Sequence, residues 1–244
     1  MQILENVYLV GSGKIGLSHP FDCHIYLIDG DEELALIDSG AGVDVELVLS
    51  NIKKDGFDPQ RITRILLTHH HADHSGGSRK IKQATSARVC IHREGAPFVE
   101  DGDEKKMGLA VAKRSGLYSP GYTFPPCGVD SLIEDKEVIS VGKSKLTAIH
   151  TPGHSKDSLC FYMEDDDFRA LFSGDVVFFE GKIGLLNRSG SNLEDYRENF
   201  SKIASLSFDA LLPGHNLFVL RGGMQHVETA ALALQQLSPP PNFI

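Results

Sequence analysis

The chain has 244 residues, 41% of them hydrophobic, and a net charge of −9, enough to bury a full core within one layered α/β domain. Its basic residues come as scattered pairs such as Lys53-Lys54, Arg79-Lys80, Lys105-Lys106 and Lys113-Arg114, which argues against a nucleic-acid partner. Cys23, Cys90, Cys127 and Cys160 lie far apart with no C-x-x-C pairing, so a disulfide frame or a zinc knuckle is excluded and reduced thiols are expected. No apolar run is long enough to span a bilayer, and Met1-Gln2-Ile3-Leu4-Glu5 lacks a basic segment followed by an apolar one. The expected location is the cytoplasm, with no membrane partner.

In chain order, Ile3 to Val10, Cys23 to Asp29 and Glu33 to Asp38 read as strands, with Asp29-Gly30-Asp31 a hairpin signal between the last two. Gly11 to Asp22 is a glycine-rich connector containing Ser18-His19-Pro20. A helix is predicted across Val43 to Lys54, where Val45, Val48, Leu49 and Ile52 recur at helical spacing. Ile62 to Thr68 returns as a strand, Ser75 to Ala84 suits a helix and Ala87 to His92 a strand. Glu94 to Pro126 has a different texture: charge, a short helix around Lys105 to Arg114, and the aromatic run Tyr118-Ser119-Pro120-Gly121-Tyr122-Thr123-Phe124. A stretch this long without strand pattern reads as an inserted lid.

The second half repeats the plan. Lys145 to Thr151 is a strand, Ser158 to Met163 and Phe168 to Ser173 form a hairpin across Glu164 to Asp167, and Phe208 to Leu212 is a further strand. Asn192 to Ala204 reads as one amphipathic helix with Leu193, Tyr196, Phe200 and Ile203 on its apolar face, and Gly223 to Leu237 as the last helix.

The stretch that organises the chain is Thr68-His69-His70-His71-Ala72-Asp73-His74-Ser75-Gly76-Gly77, directly after a buried strand. Alternation sends His69 and His71 to one side and His70 to the other. Imidazole and carboxylate at this density suit zinc, or another borderline cation such as iron or manganese. Asp38, His154, Asp175 and His215 also follow strands at polar, glycine-marked turns, and strand ends in α/β folds can converge on one crevice. One metal needs three protein ligands and an open position; two metals sharing a carboxylate need about seven ligands in all.

These residues, in this order, resemble the metallo-β-lactamase-fold hydrolase superfamily over essentially the whole chain. The resemblance implies an α/β fold, a four-layer αββα sandwich with an inserted lid at 94–126, in a single domain of residues 1–244. Carried over position by position, it implies that His69, His71 and His154 hold one divalent ion and that Asp73, His74 and His215 hold a second. Asp175 would bridge the two, and Asp38 would orient a ligating imidazole. The implied cofactor is two divalent ions, zinc foremost, with iron or manganese as alternatives. The implied activity is cleavage of a small-molecule ester, thioester or lactone by hydroxide bound between the metals, with Asp73 and Asp175 as the catalytic carboxylates. His70 falls at a variable position and receives no role. For His19, His24, His92, His150 and His226 an ordinary loop or strand histidine is the commoner reading.

The resemblance narrows unevenly. True β-lactamases lack a bridging carboxylate at the Asp175 position, and an RNase Z-type nuclease would carry a further histidine between Asp175 and His215, where there is none. Glyoxalase II-type thioesterases match the metal motifs, but Glu180-Gly181-Lys182-Ile183-Gly184 is only loosely similar to their glutathione contact, and one helix follows His215. Phe178 and Phe179 lie near Asp175 and could line an acyl pocket, although half-buried aromatics are the commoner explanation. Two alternatives stay open: a mononuclear iron persulfide dioxygenase, which would use residues matching His69, His154 and Asp175, and a phosphodiesterase or nuclease of the same fold.

Overall fold

In the computed structural model, which describes every residue except Asp166, Asp167, Leu237 and Ile244, the chain divides into two units. One comprises Met1–Leu132 with Val141–Lys143, the other Ile133–Ser140 with Ser144–Ile244.

The first unit carries a seven-stranded sheet in the order β1 (Gln2–Leu4), β2 (Val7–Gly11), β3 (Ile25–Asp29), β4 (Leu34–Ile37), β5 (Ile62–Leu66), β6 (Arg88–His92) and β7 (Ser131–Ile133). Strands β1 to β4 run antiparallel, whereas β4, β5 and β6 are parallel. Parallel pairing needs crossovers, and α1 (Val45–Lys54) and α3 (Ser78–Thr85) supply them. The strand predicted over Ile3 to Val10 is broken in two, because Leu4 pairs with Val7 and the polar Glu5-Asn6 forms the turn between them. Helix α1 begins two residues later than predicted: Gly42 sits at φ +76°, and the Asp44 side chain accepts from the Leu47 amide to cap the helix. Val45, Val48 and Ile52 then bury against Leu27, Leu36, Ile65 and Leu67, each worth about 1.5–3 kcal/mol in transfer free energy.

Residues 94–126 are organised as part of this unit. Helix α4 (Ala96–Asp101), which the sequence reading missed, opens with Gly95 and carries Pro97 in its first turn, where proline is tolerated. Helix α5 (Leu109–Arg114) is shorter than the predicted Lys105 to Arg114 because Gly108, at φ +78°, separates it from the preceding turn. Met107, Leu109, Tyr122 and Phe124 pack with Ala41 and with Ala72 of α2 (Ala72–Ser75).

The second unit carries a five-stranded sheet in the order β12 (Ala210–Pro213), β11 (Arg169–Gly174), β10 (Leu159–Glu164), β9 (Ser144–His150) and β8 (Val138–Val141). The predicted hairpin is present, Glu164 pairing with Arg169, although part of its turn lies outside the described residues. The helix predicted over Asn192 to Ala204 is divided at Phe200 into α6 (Leu193–Asn199), capped by the Asn192 side chain, and α7 (Ser201–Ala204). Phe200 keeps helical angles, so the apolar face stays continuous and Tyr196, Phe200 and Ile203 are buried as anticipated. Helix α8 (Gly223–Leu234) stops before the predicted end, where the Arg197 guanidinium donates to the carbonyls of Leu234 (3.1 Å) and Gln236 (3.2 Å); Leu237 lies outside the described residues. Among the described residues no helix is long and apolar enough to cross a membrane.

Candidate metal centre

The predicted donors fall in both units, and each unit presents its own cluster. In the first, Asp38 follows β4 in the left-handed region at φ +62°, which aspartate tolerates better than most residues. Its buried carboxylate accepts from the Thr68 amide (2.8 Å), from the Thr68 hydroxyl (2.9 Å) and from His74 Nδ1 (2.8 Å). With Nδ1–H committed to Asp38, the lone pair of His74 lies on Nε2, which faces Asp73 Oδ2 at 3.7 Å. Thr68 Oγ1 also lies 3.0 Å from His69 Nδ1. Its hydrogen points to Asp38, so it accepts from His69 and leaves the Nε2 lone pair of that ring outward.

His69 Nε2 meets His71 Nδ1 at 3.0 Å. Two bonds of about 2.0–2.1 Å to one tetrahedral ion would set these nitrogens roughly 3.3 Å apart, so the pair fits a shared cation. The backbone beneath is fixed: the Ser75 hydroxyl donates to the His70 and His71 carbonyls (2.8 and 3.0 Å), and the Ser39 amide donates to the His74 carbonyl (2.7 Å). A Cβ at Gly77 would collide with the Ser39 carbonyl, so glycine is required for this approach.

His70 points away, as alternation predicted, and stacks on Phe98 with ring centroids 4.2 Å apart and an interplanar angle of 19°. Its job is packing. His24 is a buried histidine paired with the Ser12 hydroxyl at 2.9 Å, and His19 is half-buried with its ring 4.9 Å from Phe21. The Cys23 thiol is buried beside Asp38 and His74, their donor atoms within 4.8 Å of one another. Burial pushes this thiol well above the usual cysteine range, so the neutral form sits there.

In the second unit, His154 occupies the turn after β9. Gly153 precedes it at φ +151°, and a Cβ there would strike the Tyr196 ring at 2.5 Å. His154 Nδ1 donates to the Gly184 carbonyl at 2.5 Å, which leaves Nε2 as the lone-pair nitrogen, 3.6 Å from Asp175 Oδ2. Asp175, just past β11, points its other oxygen, Oδ1, at His215 Nε2, 3.7 Å away and just past β12. One buried carboxylate thus separates two imidazoles, an oxygen for each.

Three residues of this unit escaped the sequence reading in their structural role. The Tyr196 hydroxyl accepts from the Gly184 amide (3.2 Å) and donates to the Asp175 carbonyl (3.4 Å), tying together the loops that carry both donors. Burial, with the Asp175 charge adding to it, pushes that phenol well above its ordinary pKa, so it stays a donor. Gly184 admits no side chain, since a Cβ would lie 2.8 Å from His154 Nδ1. Phe243 lies parallel to the His215 ring at 6.1 Å and packs on Phe178 at 4.3 Å. Phe178 is therefore core, while Phe179 packs on His226 (4.6 Å) and Lys182 pairs with Glu180 (2.9 Å).

The sequence profile of the metallo-beta-lactamase superfamily matches residues 19–215. The chain belongs to this superfamily. Among its relatives, the acyl-coenzyme A thioesterase MBLAC2 of Homo sapiens is 30% identical over 210 residues, covering 79% of this chain and 72% of that protein. The atrochrysone carboxyl ACP thioesterase of Aspergillus fumigatus is 30% identical over 196 residues, covering 80% of this chain and 50% of that protein. Among solved structures, the FEZ-1 metallo-beta-lactamase from Legionella gormanii is 25% identical with a TM-score of 0.73, over 94% of this chain and 91% of that one. The expected fold class, α/β of the metallo-β-lactamase sandwich type, is the one found.

Proposed function

We propose that the protein is a divalent-metal-dependent hydrolase of a small ester, thioester or lactone, with thioesters the first substrates to test. His69, His71 and His154 hold one ion, Asp73, His74 and His215 a second, and Asp175 serves both. The two units act as one catalytic domain, with residues 94–126 covering the substrate. The observation that carries this reading is the aim of Asp175: Oδ2 toward His154 at 3.6 Å and Oδ1 toward His215 at 3.7 Å. That division of oxygens is what a bridging carboxylate needs. Superfamily membership and two relatives named as thioesterases support the reaction class.

When bound, two divalent ions, zinc first, supply Lewis acidity and a water whose pKa is brought near neutrality. The chain supplies the rest. The Asp38 carboxylate, the Thr68 hydroxyl and the Gly184 carbonyl fix the tautomers of His74, His69 and His154, and such partners make imidazoles better donors. Asp73 accepts the proton of the attacking water as well as binding an ion. Cytoplasmic placement belongs to the same reading, supported by four buried cysteines in the free thiol form.

The test is a panel of acyl-coenzyme A thioesters, simple esters, lactones and phosphodiesters assayed on protein of known metal content. Thioester or lactone turnover that disappears in Asp175→Ala is expected. Turnover confined to phosphodiesters would contradict the substrate class. One iron per chain, with oxygen uptake on glutathione persulfide, would replace the hydrolase reading by the dioxygenase.

A further inference from the structure

One short segment, residues 241–243, reaches the surroundings of both imidazoles that flank Asp175. Pro239, Pro240 and Pro241 carry no backbone N–H, so no helix continues through them, and the residues that follow pair with 183–185 instead. Ile183 lies in the middle of this pairing. It bridges antiparallel to Val177, two residues past Asp175, and parallel to Asn242. The Ile183 amide donates to the Pro241 carbonyl and the Phe243 amide to the Ile183 carbonyl, both at 2.9 Å. The Asn242 side chain then acts as a further strand residue would: its Oδ1 accepts from the Leu185 amide at 2.9 Å, and its Nδ2 donates to the Leu185 carbonyl at 2.8 Å. The residues on both sides of Gly184 are thus gripped from one side. The Phe243 ring packs on Phe178 and lies parallel to the His215 ring, 6.1 Å away at 13°.

The carbonyl of Gly184 and the N–H of Leu185 belong to one peptide group, which is planar, so fixing one fixes the other. On its carbonyl side this plane accepts from His154 Nδ1 at 2.5 Å; on its N–H side it donates to Asn242 Oδ1 at 2.9 Å. Glycine leaves the plane freer to rotate than any other residue would, and no side chain can replace it, since a Cβ would meet the Asp175 carbonyl and His154 Nδ1. The direction of the carbonyl must therefore come from partners. We propose that Asn242 is a positioning residue for His154; this rests on the reading of His154 as a metal ligand. Asn242 aims the 184–185 peptide and polarises it, as hydrogen bonds in a chain do. The peptide holds the His154 proton on Nδ1, which turns the Nε2 lone pair toward a metal ion. Asn242 is exposed, so water can replace its bonds with little loss of stability. Water does not fix their direction, and a role confined to stability would leave the His154 ring as it is.

The experiment has two readouts on the full-length protein: proton–nitrogen correlation spectra of the histidine rings before zinc is added, and zinc affinity by competition with a chromophoric chelator. Spectra are taken at alkaline pH, where imidazoles are neutral, and His154→Gln identifies the His154 signals by their loss. In wild type His154 should be a single Nδ1–H form. In Asn242→Ala it should become a mixture of both tautomers, and zinc affinity should fall roughly 3- to 10-fold, less than the roughly 10- to 100-fold seen for direct partners of metal ligands. Asn242→Asp keeps an oxygen for the Leu185 amide and should lie nearer wild type in both readouts. Should Asn242→Ala fail to fold, Asn242→Leu, closer in size, takes its place. Tyr162→Phe is the control, since it removes a comparable surface bond, to the Ser207 carbonyl at 3.1 Å. Unchanged His154 signals in Asn242→Ala overturn the proposal, as does an equal change in Tyr162→Phe. An altered ring with wild-type zinc affinity overturns the link from Asn242 to the metal. A wild-type protein that bound no zinc would remove the reading of His154 as a ligand, while the ring spectra would still decide whether Asn242 orients it.

Discussion

Asp38→Asn tests the internal logic of the first-unit cluster with the least change of shape. Asparagine tolerates the left-handed backbone at this position, φ +62°, so the substitution acts through its side chain alone. The remaining oxygen can keep the Thr68 amide (2.8 Å) and hydroxyl, while the new NH2 replaces Oδ2 and faces His74 Nδ1, formerly 2.8 Å from an acceptor. Donor then meets donor. One charge-assisted bond is lost, at about 1.5–3 kcal/mol, and two are weakened, for a total of roughly 2–3 kcal/mol. In a chain of this size that lowers the melting temperature by roughly 4 to 12 °C. His74 can relieve the clash by moving its proton to Nε2, but that consumes the lone pair facing Asp73, so divalent-ion affinity should fall about 10- to 100-fold. Thermal unfolding and zinc titration on one preparation measure both. Asp38→Asn that melted within 1 °C of wild type (about 0.3 kcal/mol at this size) and bound zinc equally well would refute the reasoning.

Gly184→Ala should disturb metal binding from outside the ligand set. Its Cβ would meet the Asp175 carbonyl and lie 2.8 Å from His154 Nδ1, so zinc affinity should drop at least about tenfold by direct titration. Phe98→Ala should do the opposite. It removes the stacking partner of His70 at 4.2 Å and costs about 2 kcal/mol in denaturant unfolding, while metal content is retained because Ser75 still holds the His70 and His71 carbonyls. Asp130 is the pH probe. Burial pushes its carboxyl up, but Lys82 at 2.5 Å and the Val89 amide at 2.8 Å outweigh that and hold it below the usual range. With the folded pKa below the unfolded value of about 3.9, its stabilisation is present above roughly pH 4 and is lost as pH falls through the folded pKa. Urea midpoints of wild type and Asp130→Asn should therefore differ at pH 7 and converge toward pH 3; a constant gap would contradict the assignment.

What was legible in the sequence is what depends on short-range pattern. The alternation after β5 correctly separated His70 from His69 and His71, and the spacing in α1 and in Asn192 to Ala204 named the buried faces. What was not legible depends on contacts between segments far apart in the chain. Tyr196 reads as one more apolar helix position, yet its hydroxyl ties the loops of Gly184 and Asp175. Thr68 reads as the end of a strand, and only the fold brings its hydroxyl between Asp38 and His69. At Glu94 to Pro126 the aromatics pointed to a segment that packs, and Tyr122 and Phe124 do so, but only the fold supplies their partners Ala41 and Ala72. At Ile3 to Val10 the apolar run hid a turn, because Glu5 and Asn6 are only two residues and neither is glycine or proline.

The central claim is that His69, His71, Asp73, His74, His154, Asp175 and His215 hold a pair of ions. Crystals of zinc-loaded protein, with anomalous diffraction recorded on both sides of the zinc absorption edge, test it most directly. The account predicts about two zinc peaks per chain, with Asp175 contributing one oxygen to each. A single peak that Asp175 does not touch, or zinc bound instead by the buried Cys23 thiol with Asp38 and His74, would contradict it.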